Sequence, residues 1–168
     1  MEATLHAFVE NNTRAVNTRN PSLLSAVLAD DCVRHYRPRS FVRRHAAFLR
    51  PRLTNAEYEA QMAVELQGVA GLRQTITRVV VDAPARRAVV WVEATVTAAA
   101  AAADTAATGD GGGDGGEEED KDKTPVEVVF DLDFTADGTR VSQILEFVDT
   151  LESTRVLEHM LAKAKEAA

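Results

Sequence analysis

Two pairs of β-rich segments in the second half of the chain constrain its fold more than any other feature. LRQTITRVVVD and RAVVWVEATVT are joined by Ala83-Pro84-Ala85, and VEVVFDLDF and RVSQILEFV are joined across Ala136-Asp137-Gly138. These segments are rich in β-branched residues, which favour strands, and Asp-Gly is a strong turn signal. The sequence therefore predicts two β-hairpins.

Helical patterns lie on both sides of these hairpins. Apolar residues near the start recur every three or four positions, which predicts a first helix. A short second helix is expected from Asn20-Pro21, and the capping box Thr54-Asn55-Ala56-Glu57 predicts that a third begins at Thr54. A last helix is expected from Thr150 to Lys165. The stripe residues of the first and third helices are Leu5, Phe8, Asn12 and Ala15, and Tyr58, Met62, Leu66 and Val69.

The segment Cys32–Phe41 (CVRHYRPRSF) differs from both patterns. Its mixture of apolar and basic residues does not suit an amphipathic helix, and Pro38 would break one. It therefore predicts an irregular or edge strand.

A low-complexity stretch separates the two hairpins. Six alanines begin at Ala98, and eight acids and two lysines follow between Asp104 and Lys123. This stretch supplies most of the formal net charge of −7, so the rest of the chain is nearly neutral. Because such a composition buries little apolar surface, we expect a disordered acidic loop at about 98–124.

The whole chain is long enough for one domain, predicted to span 1–168. Its 168 residues are 45% hydrophobic, and Cys32 is the single cysteine, which favours a reducing compartment. The sequence shows no signal peptide and no run of membrane-spanning length, so we expect a soluble cytoplasmic protein with no membrane partner.

The order of the elements is that of an α+β protein. We expect a curved antiparallel sheet wrapped around the N-terminal helices, with the C-terminal helix closing the chain. Such a sheet would form a cone with a partly apolar mouth.

Three segments resemble the SnoaL-like proteins of the nuclear transport factor two-like superfamily, in particular those of fungal secondary metabolism. They are GTRVSQILEFVDTLESTRVLEHM, LADDCVRHYRPRSF and NAEYEAQM. The resemblance implies an isomerase, cyclase or dehydratase that uses acid/base chemistry without a cofactor. It also implies a homodimer, and an apolar oxygenated metabolite of polyketide or meroterpenoid type as substrate.

Asp149 matches the position of the acid/base aspartate of SnoaL-like cyclases, at the end of the last strand. A carboxylate at the mouth of an apolar cone would have a raised pKa, which suits proton transfer near neutral pH. Asp149 also precedes a helix, with Glu152 three residues later, so it could equally be a helix cap. The two roles are compatible.

His35 and Arg37 share one face of the first strand because alternate residues point the same way. If that face is inward, His35 could move protons and Arg37 could bind an enolate, carboxylate or phosphate. If it is outward, both are surface residues. The other histidines have no neighbours at ligand spacing, so no metal is predicted.

Tyr58, Trp91 and Phe130 are the aromatic residues that could line a pocket, although core packing is the more common role for residues placed like Tyr58 and Trp91. In the last two strands, Phe130, Leu132 and Phe134 are expected to face inward. The acidic residues that alternate with apolar ones are expected to face solvent, with a small chance that Glu146 reaches the cavity. They are Glu93, Asp131, Asp133 and Glu146.

Seven arginines and no acid lie between Arg34 and Arg52. Such a cluster can hold an anion, but the acidic chain lacks a nucleic-acid-binding motif, so no nucleic-acid partner is expected. The sequence leaves two functions open. One is a cofactor-independent enzyme with Asp149 as acid/base, and the other is a non-catalytic ligand-binding or dimerisation module of the same fold.

Overall fold

The structure, a computed structural model, describes residues 1–98 and 123–166 and the side chains of 1–97 and 125–158. The described residues form four α-helices, two short 3₁₀ helices and six strands. The α-helices are α1 (Glu2–Asn17), α2 (Arg39–Arg44), α3 (Asn55–Glu65) and α4 (Thr150–Glu166). The strands are β1 (Leu28–Arg37), β2 (Arg52–Thr54), β3 (Val69–Asp82), β4 (Arg87–Ala98), β5 (Lys123–Phe134) and β6 (Val141–Val148).

The six strands form one sheet in the order β2-β1-β6-β5-β4-β3. The two predicted hairpins are confirmed as β3–β4 and β5–β6, and their β4 and β5 strands pair antiparallel. The expected antiparallel pairing holds for the other neighbouring strands, whereas β1 and β6 run parallel, with Tyr36 opposite Glu146. These two strands are far apart in the sequence, so no tight turn forces them to run in opposite directions.

The first strand lies inside the sheet, which corrects the edge alternative of the prediction. Its pairing with β6 is irregular, because the register shifts between Leu28 and Val33. β1 pairs with β6 on one side and with the three-residue β2 on the other, so β2 is the edge. Pro38 ends β1 as expected, but the residues after it form the short helix α2, which the sequence pattern did not indicate.

Helix α1 fills the concave side of the sheet. Its predicted stripe is buried, and the ring of Phe8 meets that of Phe130 edge to face, with centroids 5.1 Å apart. Phe130, Leu132 and Phe134 of β5 face this core, as predicted, and Cys32 is buried there too. Burial of these side chains is the main force that holds the sheet on the helix.

The local start and turn signals act as predicted. Thr54 caps α3 through a complete capping box with Glu57. Gly138 has a φ of +70° in the β5–β6 turn, a conformation that favours glycine. The short second helix is a 3₁₀ turn over Pro21–Ser25 capped by Asn20, and the chain enters β1 at Leu28 soon after it.

The predicted disordered loop at about 98–124 falls almost entirely on residues outside the described ranges. No helix among the described residues is long and apolar enough to cross a membrane.

Candidate active site

An apolar cavity of about 220 Å³ opens between the sheet, α3 and α4. One wall is formed by the predicted apolar stripe, which runs along α3 and into the segment that follows it. β4 and β5 form the floor, and Val156 and Leu157 of α4 border the cavity from the far side. The apolar lining includes Tyr58, Met62, Leu66, Val69, Ala94, Val96, Val126, Val128 and Phe130. Such walls exclude water from a bound molecule and strengthen any polar interaction made inside.

A buried ion pair lies at one side of this cavity. The Nη1 atom of Arg34 donates a hydrogen bond to Oε2 of Glu146, and the Arg34 side chain is only 3% exposed. Both residues point into the concave side of the sheet from neighbouring strands, and the Glu146 side chain borders the cavity. Each charge is kept in the interior by the other, since an unpaired buried charge is strongly unfavourable.

Two tyrosines lie next to this ion pair. The guanidinium carbon of Arg34 is 3.8 Å from the ring centroid of Tyr58, and the rings of Tyr36 and Tyr58 are 6.5 Å apart. Burial raises the pKa of Tyr58 to about 12, although the Arg34 cation opposes this shift, and burial also raises the pKa of Tyr36. Both hydroxyl groups therefore keep their protons at neutral pH and can donate hydrogen bonds.

Glu65, at the end of α3, is the group in this cavity best suited to proton transfer. Burial raises the pKa of its carboxyl to about 7, with a smaller contribution from the negative charge of Glu146. Gln61 donates a hydrogen bond of 2.8 Å to Oε1 of Glu65. Glu65 also borders a surface groove between α3 and residues 46–50, which gives it a route for proton exchange with solvent. An acid of this pKa is half ionised near neutrality, as a general acid/base needs to be.

Several solved structures share this architecture. The chain superposes on BvnE pinacolase from Penicillium brevicompactum with a TM-score of 0.70 at 16% identity, covering 95% of this chain and 90% of the other. PrhC from Penicillium brasilianum gives 0.64 at 15% identity, with 98% and 93% covered. A protein described as a SnoaL-like polyketide cyclase, from Shewanella denitrificans, gives 0.56 at 12% identity, with 94% and 96% covered.

The chain has the SnoaL-like fold. This confirms the architecture expected from the sequence resemblance. No model of a known protein family matches the chain, and no curated protein matches it.

The SnoaL-like sheet brings only part of the predicted site to the cavity. Tyr58 and Phe130 line it, and their predicted role in ligand binding remains a prediction. The side chains of His35, Arg37 and Trp91 lie on the other face of the sheet. Side chains alternate between the two faces of a strand, and the residues next to these three in the sequence are the more buried ones that face the core. Their proposed roles in catalysis and ligand binding remain predictions.

On this outer face, His35 and Trp91 both lie close to arginine side chains. Partial burial, Arg37 and Arg52 lower the pKa of His35, so the ring is less readily protonated than an exposed histidine. The guanidinium carbon of Arg78 lies 4.9 Å from the Trp91 ring centroid. Both side chains thus interact with arginines at the convex surface.

Asp149 acts as the cap of α4. Its Oδ1 atom accepts hydrogen bonds from the backbone N–H groups of Leu151 and Glu152, at 2.9 and 3.2 Å. It precedes the helix as the sequence indicated, but it does not border the cavity. Its catalytic role remains a prediction.

Sequence reasoning missed Arg34 and Glu65 as members of the site and gave Glu146 only a small chance of reaching the cavity. The expectation that Glu146 faces solvent is wrong, since this residue is buried against Arg34. The sequence did contain signals for these residues. Arg34 lies two positions from both Cys32 and Tyr36, so all three share one face of the strand. Glu65 lies seven residues after Tyr58, two turns along the same helix face. Across the described side chains, no group of three or more His, Cys, Asp or Glu residues is arranged to hold a metal.

The pKa of Glu65 predicts a pH-dependent stability. Because the pKa is raised from 4.5 to about 7 on folding, the folded state binds more protons than the unfolded state in this interval. The stabilisation is complete below pH 4.5 and is lost as the pH rises through 7. Relative to Glu65→Gln, the wild type should lose about 3 kcal/mol of unfolding free energy between pH 4.5 and 8.

Urea unfolding of both proteins at several pH values measures this difference. Glu93→Gln is the matched control, because Glu93 is exposed on β4, and its pH profile should follow that of the wild type. Parallel profiles for Glu65→Gln and the wild type would show that Glu65 titrates normally.

Proposed function

We propose that this protein is an enzyme that moves protons on an apolar, oxygenated metabolite, without a cofactor, to isomerise, cyclise or dehydrate it. The observation that carries the proposal is the position of the Glu65 carboxyl group on the wall of an apolar cavity, where burial raises its pKa to about 7. Perturbed acids of this kind are concentrated at catalytic sites, because acid/base catalysis works best when the pKa is near the working pH.

The structural neighbours support the reaction class. They include a pinacolase, a SnoaL-like polyketide cyclase and, with a TM-score of 0.55, an LEH-like epoxide hydrolase from M. tuberculosis. These names belong to the neighbours, which share 12–16% identity with this chain. By analogy of fold, a polyketide or meroterpenoid-like molecule is the substrate type that we propose for this cavity.

We assign a role to each polar group of the cavity. Glu65, as a carboxylate, removes a proton from the bound molecule and, once protonated, returns it to a different atom. The Arg34–Glu146 pair provides a fixed dipole that needs no rearrangement during the reaction. The apolar walls keep water away from the reactive intermediate. Asp149 is the second candidate for proton transfer, from the sequence resemblance.

Hydrogen–deuterium exchange tests the proposal without the natural substrate. 2-Tetralone is an apolar bicyclic ketone with acidic C–H bonds, and proton NMR in D₂O follows the loss of those hydrogens. The protein should accelerate this loss, and the rate should rise with pH through an apparent pKa near 7, as Glu65 becomes a carboxylate. Saturable binding of 2-tetralone without any acceleration would favour the non-catalytic ligand-binding module instead.

A further inference from the structure

We propose that the surface groove between α3 and residues 46–50, which we call the outer groove, is a second binding site for the substrate. One apolar part of the molecule lies inside the cavity, and a second, uncharged apolar part lies in the outer groove. A narrow linker that passes Glu65 joins the two parts. The inference rests on the proposed function, which makes the ligand the substrate, and adds to it the size and shape of that substrate.

The size of the cavity calls for such an extension. Its volume of about 220 Å³ is below the roughly 300–1,000 Å³ that is usual for small-molecule sites. At the packing density of a protein interior, a two-ring molecule such as 2-tetralone occupies roughly 200 Å³, whereas three or four fused rings occupy roughly 300–400 Å³. A polyketide or meroterpenoid-like molecule of the larger size therefore extends beyond the cavity.

Glu65 connects the two spaces, because its side chain borders both the cavity and the outer groove. Gln61, which donates the 2.8 Å hydrogen bond to Glu65, borders the groove beside it. Both are long side chains one turn apart on α3, and each keeps some exposure to solvent, so a change of rotamer can open a passage without moving the backbone. An N–H or O–H group in the linker can take the place of Gln61 as the donor to Glu65.

The outer groove offers an apolar surface to the second part of the molecule. Phe48, in the loop, is 47% exposed, and Val64, on α3, is 67% exposed. Arg50 and Glu57, which also line the groove, form an ion pair with 3.4 Å between Nη1 and Oε1. Since each of these charges already has a partner, the groove favours an uncharged apolar group that covers Phe48 and Val64.

Two fluorescent probes that differ by one phenyl ring test this arrangement on the full chain. 1-Naphthylamine has the size of 2-tetralone and fits the cavity, whereas N-phenyl-1-naphthylamine carries a further ring on an N–H linker. The wild type should bind the longer probe more tightly. We expect Phe48→Ala to weaken binding of the longer probe by roughly 5- to 30-fold, since the phenyl ring loses its main contact, and to leave binding of 1-naphthylamine unchanged.

Phe147→Ala is the matched control, because Phe147 is 42% exposed but lies on the convex face of the sheet, and this variant should bind both probes like the wild type. Val64→Ala, on the other side of the groove, should act like Phe48→Ala with a smaller loss. Proton NMR of the wild type locates the probes. The longer one should shift the methyl signals of both Met62, in the cavity, and Val64, whereas 1-naphthylamine should shift those of Met62 only.

Each of the other results contradicts a stated part of the inference. Unchanged binding of the longer probe by Phe48→Ala, or unshifted Val64 methyl signals, would overturn the outer groove as a binding site. Equal weakening of both probes would also overturn it, since the substitution would then act on the cavity. Absence of 2-tetralone exchange in the wild type, with the selective loss in Phe48→Ala intact, would overturn the proposed function and leave a two-part ligand site standing.

Discussion

Glu65→Gln is expected to slow deuterium exchange of bound 2-tetralone by roughly 10²- to 10⁴-fold, the usual contribution of a general base. Glutamine has nearly the shape of glutamate but cannot accept the proton. It can keep a hydrogen bond with Gln61, so the local packing should survive. The loss should therefore appear in the exchange rate, with little change in the affinity for 2-tetralone.

Asp149→Asn and Glu93→Gln are the comparisons that make this result specific. Asparagine preserves the cap of α4, since its side-chain oxygen can still accept from the backbone of Leu151 and Glu152. Glu93→Gln removes an exposed carboxylate from the convex face. If Asp149→Asn abolishes exchange at an unchanged melting temperature while Glu65→Gln does not, the acid/base role belongs to Asp149, as the sequence resemblance implied.

Arg34→Met is expected to lower the free energy of unfolding by about 3–5 kcal/mol. Methionine is an unbranched apolar side chain suited to contact with the rings of Phe8 and Tyr58, so we expect the cost to come from Glu146, whose buried carboxylate would lose its partner. Arg34→Met/Glu146→Leu should recover most of this loss, because no charge then remains in the interior. Urea unfolding at pH 7 measures both variants.

Arg87→Met provides the comparison with an exposed ion pair. Arg87 is half exposed and bonds to Asp131 on the convex face, so its loss should cost no more than about 1 kcal/mol. Equal costs for Arg34→Met and Arg87→Met would contradict the desolvation argument and show that the interior around Glu146 admits water.

The local pattern of the chain was sufficient to predict most of the elements. The hairpins, the first helix, the capping box at Thr54 and the helix from Thr150 depend on periodicity and on neighbouring residues. Each of these signals acts over a few positions, so a single sequence contains it in full. The cap function of Asp149 was open to prediction for the same reason.

The tertiary structure decided which face of each strand points inward, and so which polar residues form the candidate site. CVRHYR alternates in the same way whether Arg34 and Tyr36 or His35 and Arg37 face the core. The parallel pairing of β1 with β6 settles this choice and brings Arg34 to Glu146, 112 positions away. Because desolvation and charge pairing depend on such distant contacts, the buried ion pair and the raised pKa of Glu65 arise only in the folded chain.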